Sequence, residues 1–525
     1  MMNTHFFRLS LLSMACSAIL SACGGGGAAG TASSSTAGTT GSTSSQTGTN
    51  LTNTAPQAPA PTTQSTATAT SSATPTDLCS GVPVTGKGLV NYSAMAKPAK
   101  LQATTDPDFH TQIIRVTDAK ADWNSGVAVP AYGTIQAWNA DESLMILYVT
   151  DPLSSGGKQG WALFDGKTYA FKQWLDINPA DVEQFYWSTT NPALIYYVDN
   201  HQSGSVNYDA LTVMNVITGV KTVIHDFAPD MQSGGKLAGV CPYSALKVSG
   251  GEDPFAMSED NDLIGLGADL NKTSGGVEEF AAFSYRISTG AIGLAFPAVG
   301  SVPQALPSGS GTYFYQSTNG VQVLDALSNQ VLRTLPFDGQ EHSDMLRNAA
   351  GDDIVAGAQY GPPSGGATGT LIWVNLSKGG AVHTLIGPAN GDPYPPAGTL
   401  VSGRAYKASG WVAVGITGCP SGSTGNCQGP TPTVSGTPKT YLDQEVLIAN
   451  VDSGAIYRVA HHRSAGYYNN ATTNNYWAQP NVTISPSGTR ILVPSDWGCA
   501  NPSAPVIDPS AIIDTYVIEL PGYTG

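Results

Sequence analysis

The stretch Ser485-Pro-Ser-Gly-Thr-Arg-Ile-Leu-Val493 places a polar turn directly before an apolar run of branched residues. Six other stretches repeat this arrangement, with turns at 139–143, 188–192, 258–262, 307–311, 348–352 and 407–410. The first residues of successive turns lie 41 to 78 residues apart, and propeller repeats typically span about 40 to 50 residues. The sequence therefore predicts a repeat protein with seven units.

The apolar run after each turn is too short for a helix and is rich in branched and aromatic residues, which is typical of a β-strand. These runs lie at 144–149, 194–198, 263–267, 312–316, 354–357, 411–415 and 490–493. Six of the seven are followed by a hairpin around a turn-forming pair such as Asp165-Gly166 or Ser453-Gly454. The pattern predicts an all-β protein, a seven-bladed propeller of four-stranded antiparallel blades, in which each sheet packs on its neighbours.

The last unit lacks one strand. After the seventh turn only one further strand is evident, at 515–520. The segment 112–117, Gln-Ile-Ile-Arg-Val-Thr, precedes the first blade and is the natural partner for it. We therefore expect an N-terminal strand to complete the last blade and close the ring, which leaves no long edge exposed.

Residues 1–23 are predicted to be a secretory signal peptide, with Arg8 before an apolar stretch that is too short to span a bilayer. Its last four residues, Leu20-Ser21-Ala22-Cys23, resemble the bacterial lipobox, in which the cysteine becomes the lipidated first residue. Because Gly24 rather than aspartate follows, this resemblance implies an outer-membrane lipoprotein, facing the periplasm or the cell surface. The alternative is an ordinary signal peptide with a cysteine at this place by chance.

Residues 24–78 consist almost entirely of Gly, Ser, Thr, Ala and Pro, which cannot bury enough apolar surface to fold. We expect them to form a disordered tether that carries a propeller domain at 79–525. The net charge of −15, from 38 acidic and 23 basic residues, argues against nucleic acid as a partner. The predicted partners are the membrane, through a lipid on Cys23, and either a polysaccharide or an envelope protein.

Five cysteines remain after Cys16 and Cys23 are set aside. Cys419 and Cys427 flank a short Gly-Ser loop and are predicted to form a disulfide in an oxidising compartment. Among Cys79, Cys241 and Cys499, a Cys79–Cys499 pair would reinforce ring closure. An odd number leaves one free thiol in either case.

The repeat also predicts which loops share a face. Loops before the first strand of each blade and loops between the second and third strands emerge together at the mouth of the central channel, where ligand sites gather. The polar and aromatic residues predicted at this mouth are Gln136, Gln304, His342, Arg404, His461, His462, Trp477, Gln479, Asp496 and Trp497.

Each of these residues has a functional and a structural interpretation. His342 is suited to metal binding or general-base chemistry, or else bonds a neighbouring backbone group. If the strand continues through His461 and His462, at most one of them faces the channel, and a strand-end histidine packed between blades is the alternative. Gln479 offers an amide to a metal or a sugar hydroxyl, or else to its own loop. Trp477 and Trp497 either stack on a sugar or fill space between blades.

The last blade resembles the closing blade of oligogalacturonate-lyase-like propellers, in His461-His-Arg-Ser464, Tyr476-Trp-Ala-Gln-Pro480 and the segment 485–496. The polar turn itself resembles the repeat of TolB-like propellers. In those lyases a divalent metal held by histidines and a glutamine neutralises a uronate carboxylate while a base removes the adjacent proton. The resemblance implies Gln479 and one of His461 or His462 as ligands of a divalent metal such as Mn²⁺ or Ca²⁺, and His342 as a ligand or base. If the protein is an enzyme, we expect His342 and Arg404 to be its catalytic residues. Position 481, where the family pattern has histidine, is Asn481.

Two hypotheses of different class follow. One is an envelope-anchored propeller that binds a carbohydrate and processes it by metal-assisted β-elimination. The other is a non-catalytic TolB-like scaffold or protein-interaction propeller. The clustered histidines favour the enzyme, whereas Asn481 and the acidic net charge favour binding, and the fold alone does not choose between them.

Overall fold

The protein is described by a computed structural model. The structure describes residues 78, 81–82, 86–179, 181–199, 202–203, 206–207, 210–238, 246–249, 255–271, 277–293, 296–297, 306–317, 321–326, 328, 330–335, 343–358, 371–379, 381–387, 390–392, 399–416, 442, 444–465, 476–501, 506, 508 and 510–525. All of them belong to one compact unit, Pro75–Gly525. Within these ranges, no helix is both long and apolar enough to cross a bilayer.

The strands fall into seven sheets of four or more strands within the described residues, here called blades 1 to 7. Before blade 1 come β1 (Ala103–Thr105), β2 (Gln112–Arg115) and helix α1 (Ala119–Trp123). Blade 1 contains β3 (Ser125–Val129), β4 (Leu144–Pro152), β5 (Gly160–Asp165) and β6 (Phe171–Leu175). Blade 2 contains β7 (Phe185–Trp187) and β8 (Leu194–Asp199), then, after a ribbon of β9 (Gln202–Ser203) and β10 (Val206–Asn207), β11 (Ala210–Asn215) and β12 (Lys221–Asp226). Blade 3 contains β13 (Leu246–Ser249), β14 (Ala256–Met257), β15 (Leu263–Asn271), β16 (Val277–Arg286), β17 (Ala291–Ile292) and β18 (Phe296–Pro297).

The remaining blades follow the same antiparallel meander. Blade 4 contains β19 (Leu306–Pro307), β20 (Tyr313–Ser317), β21 (Val321–Asp325) and β22 (Val331–Leu335). Blade 5 contains β23 (Ser343–Arg347), β24 (Asp353–Gly357), β25 (Leu371–Asn375) and β26 (His383–Ile386). Blade 6 contains β27 (Thr399–Ser402), β28 (Trp411–Ile416), β29 (Glu445–Asn450) and β30 (Ile456–His461). Blade 7 contains β31 (Thr483–Ile484), β32 (Arg490–Ser495) and β33 (Asp514–Glu519), extended by β2 and β1.

The ends of the chain meet in blade 7, which confirms the predicted closure of the propeller. Strand β2 pairs antiparallel with β33, with Gln112 opposite Glu519 and Arg115 opposite Tyr516. Strand β1 then adds a fifth strand to the outer edge, which the sequence pattern did not predict. The ring is therefore closed by backbone hydrogen bonds between segments about 400 residues apart in sequence.

The seven polar turns connect the first and second strands of their blades, and hydrogen bonds join each turn, or a strand residue next to it, to the following blade around the ring. The seven contacts are Asn139 Nδ2 to Pro192 O (2.8 Å), Thr189 N to Asn261 Oδ1 (2.9 Å), Glu259 N to Gly309 O (2.8 Å), Ser310 N to Asp353 Oδ1 (2.9 Å), Gly410 N to Arg347 O (2.8 Å), Lys407 N to Pro486 O (2.9 Å) and Ser487 N to Glu142 Oε1 (2.6 Å). The series returns to blade 1 after blade 7, so it identifies a closed seven-membered ring.

The core lies between blades. Ile146 and Leu163 of blade 1, for example, are buried against Phe185 and Trp187 of blade 2, and comparable clusters join blades 2 and 3, 4 and 5, 5 and 6, 6 and 7, and 7 and 1. The second and third strands carry apolar residues on both sides of the sheet, so each blade packs apolar side chains against both of its neighbours. The predicted burial of sheet faces against their neighbours is confirmed.

Candidate functional site

Two of the predicted loops are in direct contact: the connection from β30 to β31, which carries His462 and Gln479, and the loop after β32, which carries Asp496. Ser464 and Ala465 follow β30 at the exit of blade 6. The Ser464 hydroxyl donates to Ala478 O, ahead of β31 (2.6 Å), and the Ala465 N–H donates to Asp496 Oδ1, after β32 (2.9 Å). The β30–β31 connection and the loop that carries Asp496 therefore converge, as the repeat predicts. His342, Gln304, Cys419, Cys427 and Cys23 lie outside the described residues.

Gln136 and Arg404 do not precede the first strands of their blades, and this part of the prediction is wrong. Gln136 lies between β3 and β4, and Arg404 lies between β27 and β28. The sequence pattern marks the strand after each turn clearly, whereas the strand before the turn is short, as in the two residues of β31. These two side chains thus belong to the inner, turn-side part of the ring.

Arg404 crosses the centre of the ring. Its Nε donates to Asp344 Oδ2 of blade 5 (2.9 Å), its Nη2 to Asp344 Oδ1 and to Met345 O (2.6 Å), and its Nη1 reaches the Tyr186 hydroxyl of blade 2 (3.4 Å). Blades 6 and 2 are not neighbours, so this contact spans the central space. Gln136 of blade 1 adds a bond from Nε2 to Arg404 O (2.9 Å). The guanidinium is thus held by Asp344, by Met345 O and by the Tyr186 hydroxyl.

His461 is enclosed by aromatic rings. Its ring centroid lies 4.2 Å from that of Tyr92 and 4.8 Å from that of Phe109, and neither ring nitrogen has a hydrogen-bond partner. The nearest carboxylate, from Asp108, is 3.8 Å from Nδ1. Burial, with Arg463 close by, holds the pKa of His461 well below its usual value. The imidazole is therefore neutral, at the end of blade 6 and in contact with the N-terminal segment that carries Tyr92 and Phe109.

His462 faces the opposite way, as expected for successive residues at a strand end. Ser464 N donates to its Nδ1 (3.1 Å), so Nε2 carries the proton and donates to Ile416 O (3.1 Å). Both ring nitrogens are therefore engaged by the backbone. The Gln479 residue is 8% exposed. Its backbone carbonyl accepts a hydrogen bond from Asn481 N (2.7 Å) in a tight turn.

A strap formed by residues 86–100 covers this end of blades 6 and 7. Its carbonyls accept from three buried side chains: Gly86 and Gly88 from Arg458, Ser93 from Arg463 (2.8 Å) and Met95 from the Trp497 indole (3.0 Å). Arg463 lies over the rings of Tyr92 and Trp497, and Trp497 stacks on Tyr516 at 4.5 Å. Trp497 is thus buried under the strap rather than presented to solvent.

Cys499 lies in the same region as a free, buried thiol. Its Sγ is 3.9 Å from Gln444 Nε2, and burial raises the pKa of the thiol to about 12. The other two cysteines of this group, Cys79 and Cys241, lie outside the described residues.

Trp477 contributes to an aromatic group on the loop face at the junction of blades 7 and 1. Tyr148 and Trp161 are direct cross-strand partners on β4 and β5, with ring centroids 5.2 Å apart, and Trp477 lies 6.2 Å from Tyr148. Trp161 and Trp477 are half-buried, and the neighbouring Tyr476 is 41% exposed. We call Tyr148, Trp161 and Trp477 the aromatic platform.

Polar groups border the aromatic platform. The exposed Gln159 donates from Nε2 to the Tyr148 hydroxyl (2.9 Å), and the Trp161 indole donates to Val182 O (3.1 Å). Aromatic faces beside amide and hydroxyl groups are the combination that binds sugars, because sugar C–H faces stack on rings while hydroxyls need hydrogen bonds. Tyr148, Trp161 and Gln159 were missing from the sequence prediction, although pairing of the strands at 144–149 and after 161 places Tyr148 opposite Trp161.

The described residues do not fit the divalent metal that the family resemblance implies. No group of three or more His, Cys, Asp or Glu side chains among them is arranged to hold a metal ion. His461 is closed in by Tyr92 and Phe109, and His462 has given its lone pair to Ser464 N. Since His342 lies outside the described residues, its metal or base role stays a prediction.

Comparisons with known proteins support the fold. No protein-family model matches the sequence, and no curated protein does. Among solved structures, an oligogalacturonate lyase in complex with manganese is similar, with a TM-score of 0.50 and 11% identity, covering 83% of this chain and 98% of that one. An oligogalacturonate lyase from Vibrio parahaemolyticus has a TM-score of 0.47 and 10% identity over the same shares. At this identity the likeness to the manganese-bound lyase establishes a common propeller fold alone.

Proposed function

We propose that this protein is a lipid-anchored propeller of the bacterial cell envelope that binds a carbohydrate on the aromatic platform. The observation that carries the proposal is the aromatic group on the loop face, in which Trp477 lies 6.2 Å from Tyr148 and Tyr148 lies 5.2 Å from Trp161. Trp161 and Trp477 are half-buried and Tyr148 is buried beneath them at 7% exposure, and rings held in place in this way lose little conformational freedom when a ligand stacks on them.

The aromatic platform supports carbohydrate binding and does not itself supply the groups for β-elimination. Metal-assisted β-elimination needs a cation beside the uronate carboxylate and a base beside the carbon-bound proton. The described candidates for these roles are already engaged, Arg404 by Asp344 and His462 by the backbone. A lyase would therefore have to depend on His342 and on donors other than His461 and His462.

Binding is tested with the full-length protein in detergent micelles and immobilised oligosaccharides of different composition. We expect Trp477→Ala to weaken binding by about tenfold, since aromatic residues at the centre of an interface contribute roughly 1.4 kcal/mol or more. Phe171→Ala is the matched control, because Phe171 is a 40% exposed ring on the outer strand of blade 1. Equal binding by wild type and Trp477→Ala to every oligosaccharide would refute the proposal and favour a protein partner.

The anchor is tested separately. Support for it comes from Leu20-Ser21-Ala22-Cys23 and from the polar tether of residues 24–78 that follows. Cys23→Ser should release the protein from the membrane fraction and abolish incorporation of a labelled fatty acid, because one acyl-bearing cysteine supplies the anchor. Unchanged labelling and fractionation would show that Cys23 is not the lipidated residue.

A further inference from the structure

The aromatic platform continues into a row of polar groups on the same face of blade 1. In the β4–β5 ladder, Tyr148 lies directly opposite Trp161. Side chains two residues apart on a strand point to the same face, so Thr150 lies on the face of Tyr148. In the same way Gln159, which directly precedes β5, lies on the face of Trp161. We call the Tyr148 hydroxyl, Thr150 and Gln159 the polar row.

Gln159 presents its amide at the solvent-facing end of the polar row. Its Nε2 donates to the Tyr148 hydroxyl at 2.9 Å, as expected for two side chains that share a face. Gln159 is exposed, so its amide is also open to solvent. A primary amide has two N–H donors and a carbonyl acceptor, and the bond to Tyr148 uses one donor. The carbonyl oxygen and the second N–H therefore remain for a ligand.

The polar row has more hydrogen-bonding capacity than the bond between Gln159 and Tyr148 uses. The phenol accepts that bond and keeps its own proton for another acceptor. Burial raises the pKa of Tyr148, so the hydroxyl stays protonated, and remains a donor, at neutral pH. Thr150 is fully buried, and its Oγ1 has no hydrogen-bond partner among the described residues. Because buried polar groups usually have a partner, the protein alone does not satisfy this row.

Trp477 lies on the other side of the platform from the exposed amide. On strand β3, Val127 is the partner of Thr150 and Val129 is the partner of Tyr148. The Trp477 ring packs against the cluster that contains both valines, so it covers the β3 side of this face. The amide borders the opposite side, at β5. A sugar that spans the platform from Trp477 towards β5 therefore brings its edge to the polar row.

We infer that Gln159 determines the specificity of the aromatic platform and that the ligand is a sugar with two adjacent equatorial hydroxyl groups. The inference rests on the proposed function and specifies its ligand class. A pyranose that stacks on the rings by its C–H face directs its equatorial hydroxyls sideways, in the plane of the sugar, towards the polar row. An axial hydroxyl instead points along the stacking direction. One amide accepts from one hydroxyl and donates to the next, so it binds an adjacent pair at both ends.

The test compares two β-1,4-linked tetramers, of glucose and of mannose, binding to the full-length protein in detergent micelles. Their sugar units differ only at the second carbon, where the hydroxyl is equatorial in glucose and axial in mannose. We expect wild type to bind the glucose tetramer about threefold to tenfold more tightly, the change that one net hydrogen bond produces. Gln159→Leu should reduce this preference to less than about twofold. Gln330→Leu, the same change at an exposed glutamine of blade 4, should keep the wild-type preference.

Tyr148→Phe tests the hydrogen bond that positions the amide. This change keeps the ring and removes the hydroxyl, so it should also lower the preference for the glucose tetramer. Because the two side chains act as one unit, the double variant Tyr148→Phe/Gln159→Leu should lower the preference no further than Gln159→Leu alone. Additive losses would overturn the polar row as a single recognition unit.

The remaining outcomes distinguish the inference from the proposed function. Equal binding of the two tetramers by wild type, or a preference that Gln159→Leu leaves unchanged, would overturn the inference. If that binding is lost in Trp477→Ala, the platform is still the binding site. Binding of neither tetramer, with Trp477-dependent binding of another oligosaccharide, would overturn the ligand class alone. If no oligosaccharide binds in a Trp477-dependent manner, the proposed function fails and the inference with it. Circular dichroism and melting temperature verify that each variant is folded.

Discussion

Arg404 and Asp344 form a buried ion pair that crosses between blades 5 and 6 near the channel. The Asp344 carboxylate accepts from Arg404 and from Gly403 N (2.6 Å) and Met345 N (2.7 Å), and its side chain is 2% exposed. A charge so placed is tolerated because its partner and its hydrogen bonds replace water. The pair therefore joins blades 5 and 6 at the centre of the ring, where Tyr186 of blade 2 also reaches it.

Asp344→Asn should lower the free energy of unfolding by about 3–5 kcal/mol, because it removes the charge that is directly paired with the Arg404 guanidinium. Chemical denaturation measures this loss. The matched control is Asp352→Asn in the same blade, where Lys378, the partner, is 66% exposed, and exposed pairs contribute less than about 1 kcal/mol. Equal losses in the two variants would show that Arg404 is solvated.

His461 makes stability depend on pH. Its folded-state pKa lies well below the ordinary value of about 6.5, so on acidification the unfolded chain binds a proton before the folded chain does. The stability from the neutral imidazole is therefore present above pH 6.5 and lost as the pH falls below it, by up to about 1.4 kcal/mol per pH unit.

His461→Phe keeps a ring between Tyr92 and Phe109 and removes the titration. Between pH 6 and pH 5 its unfolding free energy should fall less steeply than that of wild type, whereas Tyr92→Phe, which changes the same cluster but keeps His461, should retain the wild-type slope. Comparing variants cancels the opposite contribution of Asp106, whose pKa burial raises. Stabilisation of wild type, but not of His461→Phe, by Mn²⁺ would instead make His461 a metal ligand.

The strap and strand β2 complete the last blades from the N-terminal side. Strand β2 supplies backbone hydrogen bonds to β33, and the strap supplies carbonyls to Arg458, Arg463 and Trp497. The tyrosine and methionine of the strap, Tyr92 and Met95, are also buried. The strap and β2 therefore stabilise the contact between the N-terminal segment and blades 6 and 7.

Two truncations separate the tether from the strap. Removal of residues 24–76 should leave the melting temperature unchanged, whereas removal of residues 24–100 should lower the unfolding free energy by several kcal/mol. The second truncation exposes the apolar surface covered by Leu78, Val82, Tyr92 and Met95, each of which contributes about 1.5–3 kcal/mol when fully buried. Identical melting curves for the two truncated proteins would show that the strap is not part of the closure.

The whole ring depends on a blade that is shared by both ends of the chain. Leu78 is buried in the same cluster as Leu520, and an added Cβ on Gly522 would lie 3.4 Å from Leu78 O. The end of the chain and the beginning of the described propeller are therefore close together, so a short linker can join them and new ends can be opened elsewhere.

A permutant opened between β24 and β25 still places strands from both ends in one blade, blade 5, and should melt near the wild-type temperature. A permutant opened between β18 and β19 begins and ends with whole blades, so only side-chain packing closes its ring. We expect a clearly lower melting temperature for the second protein, because it lacks the backbone pairing that β2 and β33 provide. A reversed order would contradict this account of closure.

The turns, the hairpins and the closing strand followed from the sequence because they depend on local chemistry: polar turn residues, period-two alternation and one strand without a partner. The same periodicity predicted that the loops of His462, Gln479 and Asp496 meet. It did not predict the strap or the position of Arg404, and it left open whether His461 and Trp497 face the channel or are buried. Arg404 meets Tyr186 across 218 residues and Trp497 meets Met95 across 402, and contacts of that kind depend on which blades are opposed once the ring has closed. The tertiary structure alone therefore decided that several polar residues stabilise the ring and that Trp477 lies beside Tyr148 and Trp161.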